Sequence, residues 1–270
     1  MPFSDELTLK SSQRYHDSAV MCKILQINSY HHYHDNLHGK YQQRNEELLS
    51  TLQLATIHSA RKQQNFRLAC KLLCDHLNTS CKEGQTSVTP LPRGGVNVYS
   101  ETLCKSLCGA LKGLESSKVH VAICSRIYQE SAKLLHALGY TTDAACVLCD
   151  SILHCGNSEE ECPSTLNARS LGTLGKWILG DKKIMSSNCR GNASQLSGNL
   201  VKLFKFYDVM INESPHTEDP RQCLDDVEAT CGRLLSLSSQ CAPFMDKAWF
   251  ALGGWAYRMG RKAVEQARYG

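Results

Sequence analysis

The stretch Ala248-Trp249-Phe250-Ala251-Leu252-Gly253-Gly254-Trp255-Ala256-Tyr257-Arg258-Met259-Gly260-Arg261-Lys262 constrains the fold more than any other part of this 270-residue chain. Large and small residues alternate along it as they do where neighbouring helices interlock. Trp249 supplies a bulky knob, Leu252 lies one helical turn further on the same face, and Trp255 continues the run. Gly253 leaves a hole that a partner helix can enter, although glycine costs ~1 kcal/mol against alanine inside a helix. A helix that accepts this cost twice in a row, at Gly253 and Gly254, gains close packing in return. On this reading Trp249, Leu252, Gly253 and Trp255 hold the last helix in place, and Gly253→Leu is expected to overpack the seam by roughly 1–3 kcal/mol. The pattern points to stacked helices and away from a catalytic pocket.

The rest of the chain agrees with an all-α fold. Hydrophobic residues make up 42% and aromatics only 7%, with Leu and Ala frequent, a balance that suits helices better than a β-sandwich. No segment shows convincing period-two alternation bounded by hairpin turns. Helical periodicity predicts an antiparallel hairpin from helices at about 45–64 and 67–77, with a break at Asn65-Phe66. A second hairpin runs along Val119, Ile123, Ile127, Leu134 and Leu138, breaks at Gly139-Tyr140, and returns through Ala144, Ala145, Leu148 and Ile152. Both hairpins place an aromatic at the turn and a small residue soon after, Ala69 in one and Ala144 in the other, where two helices approach closest. These alanines are about 75 positions apart, roughly two units of a helical repeat. Further helices are expected at about 102–114, 165–179 and 200–211, after Asp219-Pro220 through Leu224, Val227, Cys231, Leu234 and Leu235, and from Pro243 to about 268. Residues 1–42 form no defined unit on this reading. Residues 43–270 form the repeat region, with a flexible, exposed loop at 78–97 marked by Pro90, Pro92, Gly94 and Gly95.

Charge and cysteine usage narrow the function classes. A formal charge of +4 with no long Lys/Arg run gives no argument for nucleic acid. No apolar run reaches the roughly 20 residues that span a bilayer. The first residues lack the hydrophobic core of a secretory signal. The 15 cysteines therefore read as reduced thiols of the cytoplasm or nucleus, acting as small apolar packers. Cys146-x-x-Cys149, followed by His154 and Cys155, has zinc-like spacing but lies within an amphipathic helix pattern, so buried thiols are the better reading. His31, His32, His34 and His38 are the other place to look for metal; they lack an HExxH arrangement and read as a polar edge of the fold. Arg258, Arg261 and Lys262 read first as a solvated face complementing a helix dipole, and second as a site for an anion or acidic partner. Phosphate-loop, nucleophile-elbow and protein-kinase motifs are all missing. Neither a catalytic residue nor a cofactor is expected.

The W-x-x-L-G core at Trp249-Leu252-Gly253 matches the first helix of a tetratricopeptide-type hairpin. The fuller stretch Asp246 to Lys262, with the degenerate hairpins ahead of it, resembles the FAT domain of the phosphatidylinositol-3-kinase-related protein kinases. Within that family it looks closest to the branch that drives nonsense-mediated mRNA decay. The resemblance implies an α-solenoid of degenerate tetratricopeptide- and HEAT-like hairpins that supports a serine/threonine kinase domain and accessory subunits of the decay complex. It implies no direct contact with nucleic acid and no membrane. No catalytic or ATP-binding residue of the family has a counterpart in this chain, which reads as a fragment or truncated product. The alternatives are a free-standing tetratricopeptide-type adaptor that grips a peptide in its concave groove, and a metal- or thiol-dependent enzyme.

Overall fold

The computed structural model describes residues 42–80, 91–92, 95–114, 121–156, 164–185, 193–211 and 226–269. Among these residues the regular structure is helical throughout. The helices are α1 (Gln42–Lys62), α2 (Phe66–Ser80), α3 (Glu101–Leu114), α4 (Val121–Ala137), α5 (Thr141–Gly156), α6 (Ser164–Gly180), α7 (Ala193–Ile211), α8 (Val227–Cys241) and α9 (Asp246–Tyr269), with a 3-10 turn at Lys182–Met185. Within each unit the helices pack on others one to three places away along the chain, as in an α-solenoid, and the chain divides into two compact units, Met1–Leu138 and Gly139–Gly270.

In the first unit, α1 and α2 form the expected hairpin. Gln64 ends α1 in the left-handed region (φ 60°), and the amides of Gln64 and Asn65 return to the carbonyls of Arg61 and Ala60. Asn65 then starts α2, its Oδ1 accepting from the Leu68 amide at 3.3 Å. Ala69, Cys70, Leu73, Cys74 and Leu77 of α2 are buried, as are Leu54, Ile57 and Ala60 of α1. Helix α3 adds Leu107, Ala110 and Leu111, and the Tyr128 hydroxyl of α4 donates to the Leu111 carbonyl at 2.7 Å. The stretch expected as an exposed loop at 78–97 differs at its ends. Helix α2 runs on through Ser80, and Leu91 and Val96 are buried; residues 81–90 and 93–94 of the expected loop lie outside the described residues.

In the second unit, α6 lies between α5 and α8, and α9 packs on α8. Gly139 has φ 91°, a conformation that suits glycine, and the chain re-enters a helix at Thr141, as the break at Gly139-Tyr140 predicts. Helix α7 starts seven residues earlier than its apolar face suggests, at Ala193. The described part of α8 begins with Asp226 as its cap, Oδ1 accepting from the Glu228 amide at 2.8 Å; Asp219-Pro220 lies outside the described residues. The histidines at 31, 32, 34 and 38 also lie outside them.

Candidate interaction surface

Close helix approach in the second unit is built on glycines that sequence reasoning passed over. In α6 a Cβ added at Gly172 would sit 3.0 Å from the Ser238 hydroxyl, and one at Gly175 would sit 3.2 Å from the Leu235 side chain. Ser238 and Leu235 belong to α8, so this helix presses its side chains into gaps on α6. Two bonds lock the seam: Ser238 Oγ donates to the Ala168 carbonyl at 2.7 Å, and the Cys231 thiol donates to the Gly175 carbonyl. The device repeats one layer out. A Cβ at Gly232 of α8 would collide with the Trp255 indole of α9. Trp255 Nε1 donates to the Glu228 carbonyl at 3.1 Å, and Lys262 Nζ reaches Glu228 Oε2 at 2.6 Å. Arg233 of α8 extends the other way, stacking 4.4 Å over the Phe204 ring of α7 and donating to both oxygens of Asp208.

The residues expected to hold α9 divide between its two sides. Trp255 and Leu252 are half-buried on the α8 side, with Ala248 fully buried beside them. Gly253 is exposed, and a Cβ there would meet no atom within 4 Å. Among the described residues no helix enters the hole expected at Gly253, because residue 253 lies on the far side of α9 from α8; the filled hole is Gly232. Trp249 is 51% exposed and turns back on its own chain, donating Nε1 to the Pro243 carbonyl at 2.8 Å. Ala69 and Ala144 are both fully buried in their helices. The one signal for Gly232 in the sequence is an interior glycine in an amphipathic helix, where its ~1 kcal/mol cost asks for a reason.

The far side of α9 is an exposed apolar surface. Phe250 is 80% exposed, Tyr257 69% and Val264 51%, with Gly253, Gly254 and Gly260 open among them. Arg258 bonds back to the Gly254 carbonyl and Arg261 pairs with Glu265 one turn on, both in solvent.

The thiols have another character. Cys70 and Cys74 are buried, and burial pushes both up to about 12. Burial also pushes Cys149 well above the ordinary thiol range, with Cys146 and Asp150 nearby adding to the rise. Thiols held protonated in this way are poor nucleophiles and poor metal ligands. In the first unit, His76 is buried and its pKa is lowered to about 4 by that burial. Its Nδ1 donates to Gln53 Oε1 at 2.5 Å, and Nε2 faces the Ser50 hydroxyl at 3.4 Å, so the neutral ring is held at both nitrogens.

Comparison with known proteins finds a relative in the zebrafish Danio rerio, the serine/threonine-protein kinase SMG1, 30% identical over 237 residues. The match covers 82% of this chain and 6% of the relative's length. No family model and no solved structure matches the chain. SMG1 is a phosphatidylinositol-3-kinase-related kinase, so the family resemblance of the C-terminal helix extends over most of the sequence.

Proposed function

We propose that this chain, a helical segment related to the phosphatidylinositol-3-kinase-related protein kinases, is a non-catalytic scaffold of FAT type. In this reading it supports the kinase domain of a longer parent polypeptide and offers surfaces to accessory subunits of a nonsense-mediated decay assembly, in the cytoplasm and nucleus. The observation that carries it is the match itself: most of this chain aligns with a small part of a very long kinase, and the aligned part is helical. The physical properties of the helices support a mechanical role. Most of their apolar residues are buried against one another, and Cys70, Cys74 and Cys149 are held protonated by burial. Helical repeats of this kind act by stacking and by presenting surfaces.

A replacement experiment tests the reading. The aligned segment of the zebrafish relative is deleted, or exchanged for this chain, and kinase activity towards a serine-glutamine peptide is measured. The exchange is expected to retain activity and the deletion to abolish it. Full activity after deletion overturns the reading.

A further inference from the structure

Helix α9 carries two apolar seams, and among the described residues only one is occupied. The occupied seam runs through Ala248, Leu252, Trp255 and Met259 to Lys262 and faces α8. The second seam lies roughly 150° around the helix at 100° per residue. Phe250, Tyr257 and Val264 recur every seven residues along it, and Gly253, Gly260 and Ala267 recur every seven between them. All six are exposed. This is the a/d pattern of a helix-pairing seam carried over three heptads, with a large residue at each a position and a small one at each d position. The same pairing of knob and glycine hole joins α8 to α6 and α9 to α8, so the open seam continues an interface already built into the fold.

The charges along the flank identify the occupant. The e positions of these heptads are Gly254, Arg261 and Arg268, and the g positions are Ala256 and Ala263. Residues at e and g decide partner and orientation in paired helices. One basic flank and one neutral flank call for a partner with carboxylates on its own flank. A second copy of this chain lacks them. Packed antiparallel it would set arginine against arginine, and packed parallel it would set arginine against alanine. The Arg261–Glu265 pair is solvent-exposed and i,i+4, a type worth only about 0.3–0.5 kcal/mol, so it yields readily to an incoming carboxylate.

We propose that the Phe250–Ala267 seam of α9 docks an amphipathic helix with bulky aliphatic residues opposite Gly253 and Gly260 and acidic residues along its flank. The inference concerns this chain's own surface and holds whether or not the scaffold supports a kinase domain.

The test uses the full 270-residue protein and two synthetic helical peptides of roughly three heptads, with leucine at a and d and with glutamate or lysine at e and g. Binding is read by fluorescence anisotropy. The glutamate peptide is expected to bind at least about tenfold more tightly than the lysine peptide. The double variant Arg261→Glu/Arg268→Glu should reverse that order, and Tyr257→Glu should abolish binding. Should the charge reversal impair folding, Gly253→Gln/Gly260→Gln fills the two holes on the open side of the helix and should weaken both peptides while leaving their order unchanged, and unweakened binding overturns the proposal. Equal affinity for both peptides, or no binding of either, overturns the proposal. So does a concentration-dependent dimer in sedimentation that Tyr257→Glu dissociates, since a second copy would then be the occupant.

Discussion

At the scale of single residues, two glycines of similar sequence context have opposite roles. Gly232 faces the Trp255 indole, whereas Gly253 faces open space. Gly232→Ala is therefore expected to destabilise the protein by about 1–3 kcal/mol through overpacking. Gly253→Ala should be neutral or stabilise by up to ~1 kcal/mol through helix propensity. Urea unfolding of the two variants checks the pair. His76 gives a second residue-level test. The unfolded chain takes up a proton on this histidine near 6.5, while the folded chain does so only near 4. Between those values the unfolded state binds more protons, so stability should fall as pH drops from about 6.5 to 4. Burial alone would raise the Glu130 carboxyl, but Lys133 and Arg61, with hydrogen bonds from Lys133 and His58, hold it below its usual range. Its share of stability is lost on further acidification. A His76→Asn variant should show a flatter dependence across the upper window, whatever its absolute stability, in thermal melts run at a series of pH values.

At the scale of elements, the helices were legible because each hides one face, and the 3.6-residue period records that face directly. The breaks between helices were legible at Asn65 and Gly139, where local chemistry ends a helix. The ends of α2 and α7 were not, since polar residues such as Ser80 and Ser194 extend a helix without leaving an apolar trace. Leu91 and Val96 were hidden for a related reason: two isolated apolar residues among Pro and Gly have no period, and only tertiary contact shows them buried. The α1–α4 ion cluster was likewise invisible, because its partners are far apart in sequence. Arg61 donates to Glu130 Oε2 at 2.9 and 3.1 Å, with Lys133 and His58 on the other oxygen. Both Arg61 and Glu130 are largely buried. Arg61→Met is expected to cost about 1.5–3 kcal/mol, the range for a hydrogen bond to a charged group. Glu130→Gln in the same background should recover part of that loss, because the stranded carboxylate is then gone; a double-mutant cycle in urea measures both.

At the scale of the molecule, the sequence revealed the class of fold and a helix that interlocks, and the residues expected to hold α9 fall on both of its sides. The W-x-x-L-G run reads equally well from either side of the helix. Only the position of α8 shows that Trp255 faces inward while Gly253 faces out. That division gives α9 one seam that packs on α8 and one that stays open among the described residues. If the chain acts as the proposed scaffold, it acts through the first seam, and loss of that seam should be felt as lost structure before lost chemistry. The most direct measurement pairs kinase activity with melting temperature in the zebrafish relative carrying this chain, as wild type and with Gly232→Ala or Trp255→Ala. Activity should fall in step with the folded fraction and return when the temperature is lowered. Activity lost in a variant whose melting curve is unchanged would contradict a purely mechanical role.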